Sequence, residues 1–376
     1  MSGIYIHIPF CKQACYYCDF HFSTSLKYKE EMLMAIQQEL ILRKETFKNE
    51  QVATIYFGGG TPSILSSDEI NQLIATVYAN YKVVKSPEIT LEANPDDLTT
   101  ERLLEIADSK VNRLSIGIQS FFEKDLKLMN RAHDAEEAKR CLATATQYFD
   151  NISIDLIYGI PNTTNDEWKQ NIETALSFGV PHISSYALTV EPKTALASFI
   201  EKGIIDDVDD EKAQEQFLIL VDTLTNEGFT HYELSNFGKD NFFSKNNSAY
   251  WQGKKYMGVG PSAHSFNGSE RGWNIANNKK YINSIQQQKL PIEIEELSVT
   301  DSYNEYVMTG LRTIWGVSFT KVREDFGPKF LAYLKMQSEK FVAKDLLYIE
   351  NNTLKATRKG KFLTDGIASD LFKLNL

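Results

Sequence analysis

The chain alternates between short apolar runs and longer stretches with helical periodicity. Runs rich in Ile, Leu and aromatic residues predict six strands, at 4–8, 53–57, 88–92, 113–118, 152–157 and 182–187. Apolar positions three and four residues apart predict helices that include 27–48, 67–82, 99–109, 135–149, 165–178 and 210–227. Strands that alternate with helices in this way indicate a parallel sheet with helices outside it.

Polar or glycine-rich groups follow nearly every predicted strand. Three cysteines come after the first strand, a glycine run at 58–60 ends the second, and Glu92, Gln119 and Asp155 lie near the ends of later ones. In α/β barrels the loops after the strands converge at one face, and the chemistry gathers there. Because six units are fewer than the eight of a closed barrel, we predict an open, partial (βα)6 barrel.

The pattern changes twice after the barrel. Residues 231–297 are rich in Asn, Gly and aromatic residues and are predicted to be loops, while 298–376 return to helical periods at 301–313, 318–325 and 328–342. A predicted hairpin at 346–357 and a helix near 360–372 follow, an order that resembles a winged-helix module. We therefore predict an α/β chain in three parts, 1–230, 231–297 and 298–376, the last a winged-helix-like α+β module for packing or closure.

Charge and composition indicate which kinds of binding partner and which cellular setting the chain is expected to have. The net charge of −10 in 376 residues disfavours a phosphate-binding role, so no nucleic-acid partner is expected. No apolar run approaches the ~18 residues of a transmembrane helix, and the first residues do not resemble a signal peptide. Four cysteines are too few for a disulfide framework, and three of them lie within eight residues. These features indicate metal ligation in a reducing, cytoplasmic setting.

The cysteine loop supplies three thiolates, from Cys11, Cys15 and Cys18. A [4Fe–4S] cube usually takes four cysteines, so three leave one iron open to bind another molecule. S-adenosylmethionine could chelate that iron through its amino and carboxylate groups. The alternative is a zinc site in which His21 completes a Cys3His set. The spacing of the cysteines alone leaves both readings open.

Here the residues resemble a known superfamily. The spacing Cys11-x3-Cys15-x2-Cys18, with Tyr17 before the last cysteine, is similar to the radical-SAM signature, and residues 58–62 resemble its glycine-rich motif. Segments 5–10, 91–95, 115–121, 130–131 and 154–161 resemble the oxygen-independent coproporphyrinogen III oxidase family over essentially the whole chain. This resemblance implies a partial barrel of radical-SAM type that binds one [4Fe–4S] cluster and S-adenosylmethionine.

The same resemblance implies which residues contact S-adenosylmethionine. Carried over position by position, they are Tyr5, Tyr17, Gly59, Gly60, Thr61, Glu92, Gln119, Arg131, Asp155 and Ala187. Their chemistry suits the molecule, because carboxylates and amides bind ribose hydroxyls and amino groups while an arginine binds a carboxylate. Glycines let the backbone approach the methionine moiety closely.

Two branches of that family differ at positions visible here. The oxidase branch carries a fourth cysteine two residues after the third and a long arm before the loop; this chain has Phe20 and ten residues before Cys11. Both features resemble the heme-chaperone, HemW-like branch. We therefore expect a protein that binds heme and passes it to an unidentified acceptor protein, with radical decarboxylation of coproporphyrinogen III as the alternative. No catalytic residue is predicted, and the sequence leaves a monomer or a homodimer open.

The heme motif of that branch departs from its pattern in this chain. The motif reads His-Asn-x-x-Tyr-Trp, and here Asn246 precedes Asn247, Tyr250 and Trp251. Asparagine is not a usual axial ligand of heme iron, whereas His, Met, Cys and Tyr are. We expect weaker heme binding or a different ligand, with His264, His231 and Tyr250 as the candidates.

Overall fold

Parallel strands in the first half of the chain form the centre of a large mixed sheet. The computed structural model describes residues 2–374, in which the large sheet has twelve strands. They are β1 (Ser2–Ile8), β2 (Val52–Gly59), β3 (Val83–Ala93), β4 (Arg113–Gln119), β5 (Ile152–Tyr158), β6 (His182–Ala187), β7 (Thr230–Glu233), β8 (Asn236–Gly238), β9 (Tyr256–Val259), β10 (His264–Phe266), β11 (Glu270–Asn274) and β12 (Ile292–Glu296). Strands β1 to β6 are parallel neighbours in sequence order, which confirms the partial barrel.

Helices follow the barrel strands and lie outside them. They are α1 (Lys29–Leu42), α2 (Ser67–Asn80), α3 (Thr100–Ala107), α4 (Glu123–Leu128), α5 (Ala135–Ala145), α6 (Asn165–Ser177), α7 (Ala195–Glu201), α8 (Asp210–Asn226), α9 (Lys245–Trp251) and α10 (Asn278–Gln286). Helices α2, α5 and α6 each begin with a capping box, in which Ser66, Asp134 or Thr164 exchanges hydrogen bonds with a Glu three residues later. These boxes satisfy backbone N–H groups that the first helical turn leaves unpaired.

The two faces of the barrel strands differ in polarity. On β1, the alternate residues Ile4, Ile6 and Ile8 are fully buried in the hydrophobic core with the outer helices. Tyr5 and His7 point to the other face, towards the barrel interior, because side chains alternate along a strand. The interior is therefore lined by polar groups, and every site residue on a strand depends on this alternation.

Residues 231–297 extend both edges of the sheet, so the prediction of loops there is wrong. Strands β8 and β7 pair antiparallel beside β6, while β9 runs parallel to β1 and leads into the antiparallel strands β10, β11 and β12. The edges of an open barrel present unpaired backbone groups, and these short strands satisfy them. Strands of three to five residues are too short to show a clear alternation in sequence. The division at 230 and 297 stays a prediction.

The C-terminal residues fold around a small sheet of their own. The elements are α11 (Val299–Leu311), β13 (Val317–Ser318), α12 (Phe319–Phe326), α13 (Pro328–Ala343), β14 (Leu347–Glu350), β15 (Thr353–Ala356), α14 (Arg358–Lys361) and α15 (Thr364–Asp370). Helices followed by a hairpin confirm the winged-helix-like module. The single helix predicted near 360–372 is wrong, since two short helices stand there. No helix within residues 2–374 is long and apolar enough to cross a membrane.

Candidate functional site

The cysteine loop leaves the barrel at the end of β1 and is held by backbone hydrogen bonds. The N–H of Cys11 donates to the carbonyl of Ser23 at 3.1 Å, and the N–H of Tyr16 donates to the carbonyl of Met129 at 3.1 Å. The second bond ties the loop to the segment after α4, on the far side of the barrel mouth. All three cysteines of the loop are free thiols with intermediate burial. We call this end of the barrel, where β1 to β6 finish, the cluster end.

The three thiols are electrostatic neighbours. The pKa of the Cys11 thiol is raised to about 11, chiefly by burial, with a lowering contribution from a hydrogen bond with Thr61 and raising contributions from the charges of Cys18 and Cys15. Without a metal these thiols resist ionisation. A bound cation would compensate the thiolate charge and so favour the ionised, ligating form.

The donors fit a cluster better than a single ion. Within residues 2–374, no three His, Cys, Asp or Glu side chains converge closely enough to hold one metal ion. A [4Fe–4S] cube spreads its cysteine ligands over separate irons, so it does not require that convergence. His21, the fourth ligand that zinc would need, has its Nε2 2.7 Å from the Asn278 Oδ1. The geometry favours the cluster over zinc.

The glycine run lies directly against the chain that leads to Cys11. The Gly60 N–H donates to the Ile8 carbonyl at 2.9 Å, and the Thr61 N–H donates to the Phe10 carbonyl at 2.7 Å. A Cβ on Gly60 would lie 2.5 Å from the Phe10 oxygen, so a larger residue would force the two segments apart. Glycine is therefore required at this position, and the run brings Thr61 to the cysteine loop.

Glu92 faces the barrel interior beside two tyrosines. The Tyr56 hydroxyl donates to Glu92 Oε1 at 2.7 Å, and the Gly59 N–H donates to Oε2 at 3.3 Å. The Tyr5 ring stacks on Tyr56 with ring centroids 5.9 Å apart. Burial raises the pKa of Glu92 to about 7, although the hydrogen bond from Tyr56 lowers it. The sequence analysis did not name Tyr56, which contacts the candidate site residue Glu92 directly.

Arg131 joins the cysteine loop to the strands. Its Nη2 donates to Asn94 Oδ1 at 2.8 Å and to the Gly117 carbonyl at 2.9 Å, and its Nη1 lies 3.3 Å from Cys15 Sγ and 3.4 Å from the Tyr17 hydroxyl. The Nε atom is buried without a partner. Among the described residues Arg131 forms no ion pair, so its charge stays available for an anionic ligand. Asn94 was also missed, although it lies in the segment 91–95 that carries the family resemblance.

The remaining predicted residues lie on β4, β5 and β6, where Asp155 faces the barrel interior and the Ala187 side chain packs against the outer hydrophobic core. Gln119 adopts a φ of 67° at the end of β4, and Ala187 ends β6. Burial raises the pKa of Asp155 to about 6, against lowering contributions from Ser184 and Arg131. Tyr186, which the sequence analysis missed, keeps 44% of its surface accessible, yet burial raises its pKa well above the ordinary value. The Asp155 and Glu92 carboxylates also contribute to this rise, so they lie near Tyr186.

The candidate heme motif lies at the other end of the barrel. Helix α9 closes the starts of β1 to β3, an end that we call the base. There the Glu88 carboxylate accepts the N–H groups of Lys245 and Asn246 at 3.2 and 3.1 Å, and Thr54 Oγ1 donates to Asn246 Oδ1 at 3.0 Å. Five residues of β1 separate this level from the cysteine loop, a rise of about 17 Å. The structure does not bring Asn246 to the cysteines.

The other motif residues have separate surroundings. Asn247 donates its N–H to the Ser244 side chain at 3.2 Å, which caps α9. Tyr250 is 47% exposed, and its ring centroid lies 5.0 Å from that of Trp251. The Arg312 guanidinium of the C-terminal module lies 5.0 Å from the Trp251 ring centroid. Trp251 therefore packs against that module, whereas Tyr250 faces solvent.

This chain is similar to known proteins along its whole length. Residues 5–175 match the Radical SAM superfamily and residues 297–363 match the HemN C-terminal domain. The heme chaperone HemW of Bacillus subtilis is 33% identical over 96% of this chain and 97% of its own. HemW of Lactococcus lactis is 33% identical over 97% and 98% of the two chains.

One solved structure shares nearly the whole fold. Coproporphyrinogen III oxidase HemN of Escherichia coli superposes with a TM-score of 0.85 at 22% identity, over 99% of this chain and 90% of that one. That likeness shows the fold alone. The full-length identity to the two HemW proteins is stronger evidence for the family, because it spans the cysteine loop, the barrel and the C-terminal module together. The chain belongs to the HemW family of the Radical SAM superfamily.

Proposed function

We propose that this protein is a heme chaperone that retains a working radical-SAM site. It binds heme for transfer to an acceptor protein in the cytoplasm, and it holds a [4Fe–4S] cluster and S-adenosylmethionine at the cluster end. The observation that carries the proposal is the 33% identity, over nearly the entire length, to relatives named as heme chaperones. The fit of the cysteine loop to a three-ligand cluster supports its second half.

Residues at the cluster end have distinct roles in this proposal. Cys11, Cys15 and Cys18 hold the cluster, which when bound supplies a single electron to S-adenosylmethionine. Arg131, which forms no ion pair within residues 2–374, binds the carboxylate of that molecule. Glu92 and Asp155 accept hydrogen bonds from its amino group and ribose. The glycine run and Tyr5, Tyr17, Gln119 and Ala187 complete the proposed binding site.

The alternative function is oxidative decarboxylation of coproporphyrinogen III. The shared fold with HemN does not favour it, because many functions use one fold. Position 20, where a fourth cysteine stands in the oxidase branch, is Phe20, which is 68% exposed here. We propose that the chain lacks this activity.

An anaerobic experiment with two arms tests the proposal. The chain is reconstituted with iron and sulfide; one arm adds heme and follows the Soret band, and the other adds coproporphyrinogen III, S-adenosylmethionine and a reductant. We expect stoichiometric heme binding in the first arm, transfer of that heme to a heme-free acceptor, and no protoporphyrinogen in the second. Protoporphyrinogen formed at a sustained rate, or no heme binding by the wild-type chain, would contradict the proposal.

A further inference from the structure

The six histidines of the chain differ in whether their ring nitrogens are engaged. Five make ring hydrogen bonds: His7 with the His21 carbonyl, His21 with Asn278, His133 with the Ile118 carbonyl, His182 with Ser153 and Tyr232, and His231 with the Leu234 carbonyl and Lys361. His264 makes no ring hydrogen bond with any part of residues 2–374. It is also exposed, whereas the others are buried or partly buried.

His264 stands on a face built from three short strands. Across β10 and β11 it is paired with Trp273, with ring centroids 6.3 Å apart, and Phe266 is paired with Arg271. Phe266 is also paired with Tyr256 of β9, at 6.4 Å between ring centroids. Residues opposite each other, or two apart on one strand, project to the same side of a sheet. We call the surface formed by these five residues the edge face.

The opposite side of the same strands is already covered. Ser265 accepts from the Arg43 guanidinium at 3.1 Å, and Asn274 Nδ2 donates to both carboxylate oxygens of Glu39 at 2.9 and 3.0 Å. Glu39 and Arg43 belong to, or directly follow, helix α1. The strands therefore have one packed side and one open side, and His264 is on the open one.

The candidate heme motif contributes one aromatic ring to the edge face. The Tyr250 ring lies 5.5 Å from the Tyr256 ring between centroids, so it extends the row of aromatic rings. Asn246, four residues earlier, is turned into the barrel base and bonded to Thr54 instead. The motif thus contributes its tyrosine ring to this surface, whereas the Asn246 amide lies beside Tyr256 and has its oxygen bonded to Thr54.

We infer that heme binds on the edge face with His264 as its axial ligand, and that Asn246 does not contact it. The inference rests on the proposed function and assigns the site at which the chaperone binds heme. A neutral imidazole with an unshared nitrogen is the commonest protein ligand of heme iron among those available here. The aromatic rings stack on the macrocycle, and Arg271, which also pairs with Glu305, supplies a cation for a propionate.

His231 is a less suitable ligand than His264. His231 has both ring nitrogens engaged, at 3.0 Å from the Leu234 carbonyl and 2.9 Å from Lys361 Nζ, and its ring stacks on Phe237. Partial desolvation by the neighbouring rings lowers the pKa of His264, although its side chain is exposed, and the Arg271 charge lowers it further. His264 is therefore neutral at physiological pH, the state in which imidazole binds a metal.

Heme titration of the full-length chain tests the inference. Ferric heme is added to the wild type, His264→Ala, His264→Met and, as the matched control, Asn246→Ala, with circular dichroism to check the fold of each. We expect His264→Ala to bind about 10–100-fold more weakly, since even outer-shell losses cost that much in metal affinity. His264→Met should keep binding with an altered Soret band, and Asn246→Ala should match the wild type.

The outcomes separate this inference from the proposed function. If the wild type binds heme and both His264 variants keep its affinity and Soret band, the ligand assignment is wrong while the chaperone function stands. Loss of binding in Asn246→Ala alone would likewise overturn the assignment. If the wild type binds no heme, the proposed function fails and the site fails with it. Imidazole added to His264→Ala should restore the wild-type spectrum, which a merely structural role would not produce.

Discussion

The two ends of the barrel interior are both polar, but they use their polar groups differently. At the base, His182 bonds through both ring nitrogens, to Ser153 at 2.6 Å and to Tyr232 at 2.7 Å, and Glu88 accepts two N–H groups of α9. A buried arginine Nε without a partner occurs at both ends, in Arg113 at the base and in Arg131 at the cluster end. The carboxylates differ, because burial at the cluster end raises the pKa values of Glu92 and Asp155 above their ordinary range.

This difference separates structure from function. Hydrogen-bonded groups at the base compensate one another and stabilise the closed end. Glu92 and Asp155 at the cluster end are desolvated, and no ion pair within residues 2–374 compensates them, a cost that proteins keep where a ligand supplies the missing interactions. Asn246 belongs to the first kind, despite its place in a heme motif.

Removing a cysteine ligand should give the largest effect. Cys11→Ala, Cys15→Ala or Cys18→Ala should each lose the four irons and four sulfides together, since an open cluster with two protein ligands is not retained. Iron and sulfide analysis with the visible charge-transfer absorption measures this after anaerobic reconstitution. Cys141→Ala, a buried thiol on α5, is the control and should keep the full cluster. Stoichiometric zinc in the wild type would contradict the cluster assignment.

Carboxylates at the two ends should respond differently when replaced. Glu92→Ala or Asp155→Ala should weaken S-adenosylmethionine binding by about tenfold or more, because each removes a charge-assisted hydrogen bond worth about 1.5–3 kcal/mol. Glu88→Gln, on the same strand as Glu92 but at the base, is the matched control. Calorimetry on reconstituted protein should show an unchanged affinity for Glu88→Gln. Equal losses in all three variants would show that the ends are not separate.

Glu92→Gln should stabilise the cluster-free protein above neutral pH. Burial raises the folded-state pKa of Glu92 to about 7. Ionisation of the buried carboxyl group therefore destabilises the folded state, and the free energy of unfolding falls as pH rises from about 4.5 to 7. Gln does not ionise, and we expect a gain of about 2 kcal/mol at pH 8 that fades by pH 5. Urea unfolding at the two pH values measures it. A variant less stable than the wild type at pH 8 would mean that the Tyr56 hydrogen bond outweighs the desolvation.

Restoring a histidine in the heme motif should have the smallest effect. Position 246 lies at the base beside Thr54, Gly3 and Tyr256, so Asn246→His places an imidazole next to Tyr256 and not next to His264. Heme affinity should change by less than about twofold, because the proposed iron ligand is unchanged. The Soret band should stay as in the wild type. A tighter complex with a new histidine-type spectrum would show that heme binds at the base and would contradict the edge-face assignment.

Much of the barrel could be predicted because its signals are local. Strand β1 was predicted at 4–8 and spans Ser2–Ile8, and α6 was predicted at 165–178 and spans Asn165–Ser177. Helix α1, predicted at 27–48, ends at Leu42. The following Arg43 bonds to Glu39 and to the Gly258 carbonyl in the core, and nothing in the local periodicity indicates that contact.

The site was predictable only in part for a similar reason. Motif spacing indicated the cysteines and the strand-end carboxylates, and the fold places Arg131 near both Cys15 and Asp155. The partners of those groups come from distant strands: Tyr56 reaches Glu92 across β2 and β3, and Arg131 reaches Asn94 from beyond α4. The ring environments that distinguish His264 from His231 also depend on tertiary packing, so both remained equal candidates in the sequence.

The separation of the edge face from the cluster end can be tested most directly by heme titration of a protein without its cluster. The triple variant Cys11→Ala/Cys15→Ala/Cys18→Ala and the reconstituted wild type are titrated with heme under the same anaerobic conditions. Because the edge face uses no residue of the cysteine loop, the two affinities should agree within about twofold, with the same Soret band. Heme binding that disappears with the cluster, in a variant that keeps its fold, would contradict the account.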